Sequence, residues 1–177
     1  MTEDLENTKY NDGTPVHLLT DSERNCMFYD IYCTGYTGPY YINSLTSLRG
    51  LAYDFSAVYS GKLCPTGWRV PSNEEMTTLV DYLGGSDIAG GKLKETGISH
   101  WQAPNTGAAN ESGFSAIPAF SNKPVLDNDG TTVNYWSVDY ISGTGGQLWT
   151  LVNNSGEISR SGNTLSNQAF TVRCIKN

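Results

Sequence analysis

The run Pro71-Ser72-Asn73-Glu74-Glu75 carries the clearest local signal in this chain, because helix-start chemistry and helical periodicity coincide there. Ser72 can accept from the backbone three residues on, and Glu75 stands where a capping box needs its carboxylate. Met76, Leu79, Val80 and Leu83 follow at i, i+3, i+4 and i+7, and Gly84-Gly85 supplies a left-handed stop. The spacing predicts a helix over 73–83. Glu74 and Glu75 fall in its first turn, where the macrodipole stabilises negative charge, so they read as capping groups rather than as an acid/base pair.

The rest of the chain is punctuated differently. Its 177 residues include 19 glycines and 11 tyrosines, and 38% are hydrophobic. That is enough apolar mass for one core, hence a single domain over 1–177, with much irregular backbone. Asn11-Asp12-Gly13 predicts an edge hairpin or arm. Between 26 and 59 the chain is rich in tyrosine, whose rings can pack inward while their hydroxyls stay wet. Residues 101–121, with Pro104, Gly107, Gly113 and Pro118 and no periodic pattern, read as a long ordered loop. Asp127-Asn128-Asp129-Gly130 reads as a hairpin turn rather than a calcium loop, which needs more ligands and a distal glutamate. Beyond Pro124 no proline occurs, and strands are expected at 134–139, 147–153 and 168–175, with a short return strand over 157–160.

Charge and motifs narrow the chemistry. Eighteen acidic against 11 basic side chains give a net charge of −7, which argues against phosphate-driven nucleic-acid binding. No apolar run approaches the length of a membrane-spanning helix, so no membrane insertion is expected; an exported chain would carry its leader outside this sequence. With only His17 and His100, a triad or multi-histidine metal site has few parts. Gly85 and Gly90 have phosphate-loop spacing, but Gly91 stands where lysine belongs, and Lys92 is followed by Leu93 rather than by a magnesium-binding hydroxyl. Trp101 beside His100 reads as a core anchor. Neither a catalytic activity nor a cofactor is expected. Cys26, Cys33, Cys64 and Cys174 allow three complete pairings; Cys26 with Cys33 and Cys64 with Cys174 is the favoured one, and four reduced, partly buried thiols are the alternative.

Several blocks carry a family resemblance: Leu63-Cys64-Pro65-Thr66-Gly67-Trp68-Arg69-Val70-Pro71-Ser72, Ala89-Gly90-Gly91-Lys92-Leu93-Lys94, Asn105-Thr106-Gly107-Ala108, Ser112-Gly113-Phe114-Ser115-Ala116, Tyr135-Trp136-Ser137 and Phe170-Thr171-Val172-Arg173-Cys174. In this order they closely resemble the Fibrobacter succinogenes major paralogous domain. The resemblance implies an α+β, C-type lectin-like fold of the formylglycine-generating-enzyme type: a small twisted antiparallel sheet, few helices and long ordered loops. It also supports pairing Cys64 with Cys174 and implies an exported or surface-associated protein, a phage particle being the alternative. Ala103-Pro104-Asn105 lacks the glutamate of Glu-Pro-Asn and Trp136-Ser137-Val138-Asp139 is not Trp-Asn-Asp, so the sugar-binding calcium motif does not carry over.

The layout between 135 and 174 is also similar to the variable proteins of diversity-generating retroelements, with polar residues set between Trp136, Leu148, Ile158, Phe170 and Val172. On that likeness the expected ligand face comprises Tyr140 and Trp149 as aromatic anchors, with Asn153, Asn154, Glu157, Ser159, Arg160 and Asn163 as orienting groups. The expected function is a non-catalytic ligand-binding or adhesion module for a protein or glycan. The alternative is a structural surface, pilus or phage-tail module without a ligand pocket.

Overall fold

Period-2 alternation along two long strands organises the molecule. The computed structural model describes residues 5, 8–18, 40–43, 51–119, 130–141, 145–161 and 168–177. Among these the strands are β1 (His17–Leu18), β2 (Tyr40–Asn43), β3 (Leu51–Asp54), β4 (Trp68–Arg69), β5 (Thr132–Ile141), β6 (Gly145–Val152), β7 (Ile158–Ser161), β8 (Ala169–Thr171) and β9 (Ile175–Lys176). The helices are α1 (Phe55–Tyr59), α2 (Asn73–Tyr82) and α3 (Ser86–Leu93). β5 and β6 pair antiparallel from Thr132 opposite Val152 to Ile141 opposite Gly145. Neighbouring residues on each strand point to opposite faces, and here both faces are covered. Trp136 and Leu148 join Tyr53, Phe55, Val58, Phe170 and Val172 in one core. Tyr135, Trp149 and Leu151 join Met76, Val80, Leu93, Trp101 and Ile158 in another.

The architecture is α+β, with few helices among the described residues and an irregular stretch running from 95 to 119. The expected small antiparallel sheet is corrected: among the described residues it is a seven-stranded mixed one, ordered β1-β2-β3-β8-β5-β6-β7, plus the separate pair β4-β9. β1 runs parallel to β2, and β5 parallel to β8. The strand expected over 168–175 divides in two. β8 ends at Thr171, the chain leaves the large sheet, and β9 pairs with β4. Because this crossing passes through the interior, Ala169 to Cys174 are all buried and the predicted inside-outside alternation is lost.

Local chemistry explains the helices. Ser72 and Glu75 form the predicted capping box, and α2 ends one residue before the expected 83. Asp54 caps α1 by accepting from the Ala57 and Ser56 N–H groups. α3 was not expected, since Gly90 and Gly91 weaken a helix interior. Their role is close approach: a Cβ on Gly90 would lie 2.2 Å from the Glu157 carbonyl oxygen, and one on Gly91 2.2 Å from that of Gly107. The predicted N-terminal hairpin is present, with Lys9 bridging Pro15 across the Asn11-Gly13 turn. The 127–130 turn falls outside the described residues except for Gly130.

Two fastenings hold the irregular parts. Cys64 and Cys174 form a disulfide across 110 residues, as expected; the Cys26–Cys33 pairing lies outside the described residues. Lys94 is 0% exposed, and its Nζ donates to the carbonyls of Thr106, Val152 and Ser155 at 2.9, 3.0 and 2.8 Å. Its ammonium also stands 5.3 Å from the Trp101 ring centroid. Burial pushes its pKa down to about 8, while three carbonyl acceptors match the three N–H donors of the charged form.

Replacing both Cys64 and Cys174 with alanine is expected to cost about 2–5 kcal/mol, measured by urea denaturation. Lys94→Met, of similar length but without donors, is expected to cost about 3 kcal/mol or more by the same measurement, since it takes the shared donor from three carbonyls that meet at a buried point.

Candidate functional site

Three segments distant in sequence meet beside the first turns of α2. The helix is tied to the sheet by its first residue. The Asn73 backbone N–H donates to Asp139 Oδ2 at 2.5 Å, and its Oδ1 accepts from Ser137 Oγ and Trp149 Nε1, both at 2.9 Å. Its Nδ2 donates to Gln147 Oε1. The C-terminal segment is fixed by the disulfide at Cys174 and by β4-β9 pairing at Ile175 and Lys176. The 101–119 loop contributes Phe114, which meets Tyr135 edge-on with ring centroids 5.5 Å apart.

Between these segments lies a cleft of about 250 Å³, lined by Pro71, Met76, Leu79, Phe114, Tyr135, Trp136 and Ile175, with Glu75, Arg173 and Lys176 among its charged members. Arg173 is buried, and its guanidinium lies 4.0 Å from the Phe114 centroid and 5.4 Å from that of Tyr135. One Nη donates to the Phe114 carbonyl, and the other lies 3.5 Å from the Tyr135 hydroxyl. Cation–π attraction and hydrogen bonding together hold the cation against the aromatic wall. Glu75 accepts from both Nη groups of Arg69 and from the Ser72 backbone N–H, the last at 2.9 Å. Arg69 in particular holds the Glu75 carboxyl down at about 2. Lys176 is exposed.

The residues expected to form a ligand face do not converge here. Trp149 is 5% exposed, so the expectation that it presents its ring is corrected: it faces the α2 side of a sheet covered on both sides, with its N–H on Asn73 and the Arg160 guanidinium 5.8 Å above the ring. Tyr140 is 57% exposed but lies at the other end of the β5–β6 ladder, 5.9 Å from the ring of Tyr59, which is 62% exposed. Asn153 is half-buried, and its Nδ2 donates to the Gln102 and Ala103 carbonyls. Asn154, Glu157, Ser159 and Arg160 are exposed on or beside β7. Asn163 lies outside the described residues. None of the described ones among these residues lines the cleft. His100 has its Nδ1 2.6 Å from Glu95 Oε2, and that pair does not line the cleft either.

The sequence reading missed Phe114, Tyr135, Arg173 and Lys176 as one site. The available signal was the cysteine pairing itself, since joining Cys64 to Cys174 draws 173–176 toward the segment that leads into α2.

The family model described as the Fibrobacter succinogenes major domain matches residues 1–176. No curated protein and no solved structure matches the chain.

The Glu75–Arg69 pair gives an acid-limb prediction. The folded carboxyl binds its proton more weakly than the unfolded one, so its stabilisation is complete above about pH 4.5 and is lost as the pH falls toward 2. Solvent screening limits it to about 1 kcal/mol. Glu75→Gln preserves the capping geometry, so the wild-type advantage over this variant in urea melts is expected to shrink across that window.

Proposed function

This chain belongs to the Fibrobacter succinogenes major domain family, and from that premise we propose that it is a non-catalytic recognition module for a protein or glycan ligand. The reading includes a C-type lectin-like fold and an extracellular or cell-surface location. The observation that carries it is the cleft between α2, Phe114 and the C-terminal segment. Its walls are apolar and aromatic, and two of its three charged members, Glu75 and Arg173, are engaged in structural bonds, which leaves Lys176. That arrangement suits holding a group better than transforming one. Apolar walls suit a side chain better than a bare sugar ring, so a protein ligand is the better match.

The likeness to diversity-generating retroelement variable proteins adds a second contact strip to the proposal: Asn154, Glu157, Ser159 and Arg160, exposed along and beside β7. The competing reading, a structural surface module, draws on the exposed Tyr59–Tyr140 pair, a contact suited to burial against a neighbour. Among the described residues no helix is long and apolar enough to cross a membrane.

Indole, a neutral probe of suitable size, tests the cleft. Titration followed by amide NMR is expected to give saturable shifts at Phe114, Tyr135 and 173–176. Leu79→Trp, which enlarges a half-buried lining residue, is expected to abolish them while leaving the fold intact. Shifts that fail to saturate, or that survive in Leu79→Trp, would remove the cleft from the reading.

A further inference from the structure

We infer that the cleft selects an apolar group carrying a carboxylate, an aromatic or branched acid, rather than a neutral or cationic counterpart. This rests on the reading of the cleft as a binding site and adds the chemistry of its occupant. The walls set the apolar half: Met76, Leu79, Phe114, Tyr135 and Ile175 offer no charge to a buried ring or branched chain. The volume, about 250 Å³, exceeds the roughly 150 Å³ in which benzene fits and leaves room for a ring with a short substituent.

Charge at the lining sets the other half. The carboxylate that would repel an anion, Glu75, is engaged by both Nη groups of Arg69 and by the Ser72 N–H. Lys176, by contrast, is exposed and has no carboxylate partner among the described residues. Its backbone is held: Lys176 pairs with Trp68, and the next residue, Asn177, donates its N–H to the Gly67 carbonyl at 3.0 Å. A cation on a fixed strand at the lining of an apolar cavity, whose one lining carboxylate is already paired with Arg69, complements one negative charge on an apolar body. Two sources offer that chemistry, a free small acid and the C-terminal residue of a peptide, and the test includes both.

The full chain is titrated with indole-3-propionate, its primary amide, and a short peptide ending in tryptophan as free acid or amide, read by amide NMR. The acid forms are expected to bind about fivefold tighter than the amides at low salt, and the preference is expected to fade as salt rises. Lys176→Gln is expected to erase the preference; Lys9→Gln, which changes net charge equally at an exposed remote site, is expected to keep it. Whichever acid binds tighter identifies the source, and either supports the inference. Equal binding of acid and amide, or an acid preference that survives Lys176→Gln, overturns it while leaving the cleft reading standing. Absence of saturable binding by any of the four compounds overturns both.

Discussion

The β5–β6 ladder is covered on both faces, and the rest of the molecule is arranged around that constraint. A strand covered on one side can turn every second residue to water. Here Trp136 and Leu148 go to one core while Tyr135 and Trp149 go to the other. Two cores need two sets of covering elements: α1 with the segments around 63–70 and 172–174 for the first, α2, α3 and the 101–119 loop for the second. Large aromatic side chains in such a sheet become structural by default, and their polar atoms must be satisfied internally. The indole N–H groups of Trp101, Trp136 and Trp149 accordingly donate to the Ala116 carbonyl, the Tyr53 carbonyl and Asn73 Oδ1.

The cleft follows from the same arrangement. Covering elements with different origins leave a seam where they abut, and the seam beside α2 is bounded by groups already committed to holding the fold. Asn73 fixes the helix to the sheet, and the disulfide fixes the C-terminal segment. Arg173, within cation–π distance of both Phe114 and Tyr135 and bonded to the Phe114 carbonyl, holds the loop against the strand. A recess whose walls are fixed this way needs little rearrangement to receive a ligand, which lowers the entropic cost of binding.

How much of this was legible depended on how local the cause was. The Ser72–Glu75 box and the stripe behind it lie within a dozen residues, and the sequence placed that helix to within one residue. The strands around 134–139, 147–153 and 157–160 were readable from alternation and turn residues. α3 was not, because the reason for Gly90 and Gly91 lies in the backbone of Gly107 and Glu157. Trp149 was read as outward-facing because a strand sequence does not say whether its second face is covered. The cleft was the least legible feature, since its walls come from residues near 71–79, 114, 135–136 and 173–176.

The buried ammonium of Lys94 also sets how freely this scaffold can change in length. It takes one acceptor from Thr106 and two from the segment around the β6–β7 turn, Val152 and Ser155. Lengthening either loop by one residue would displace its carbonyls and strand a charge in the interior, so the two loops are coupled in any change of length. Insertions are therefore confined to stretches outside this three-point anchorage, and the molecule's surface can diversify only where that one amine is not listening.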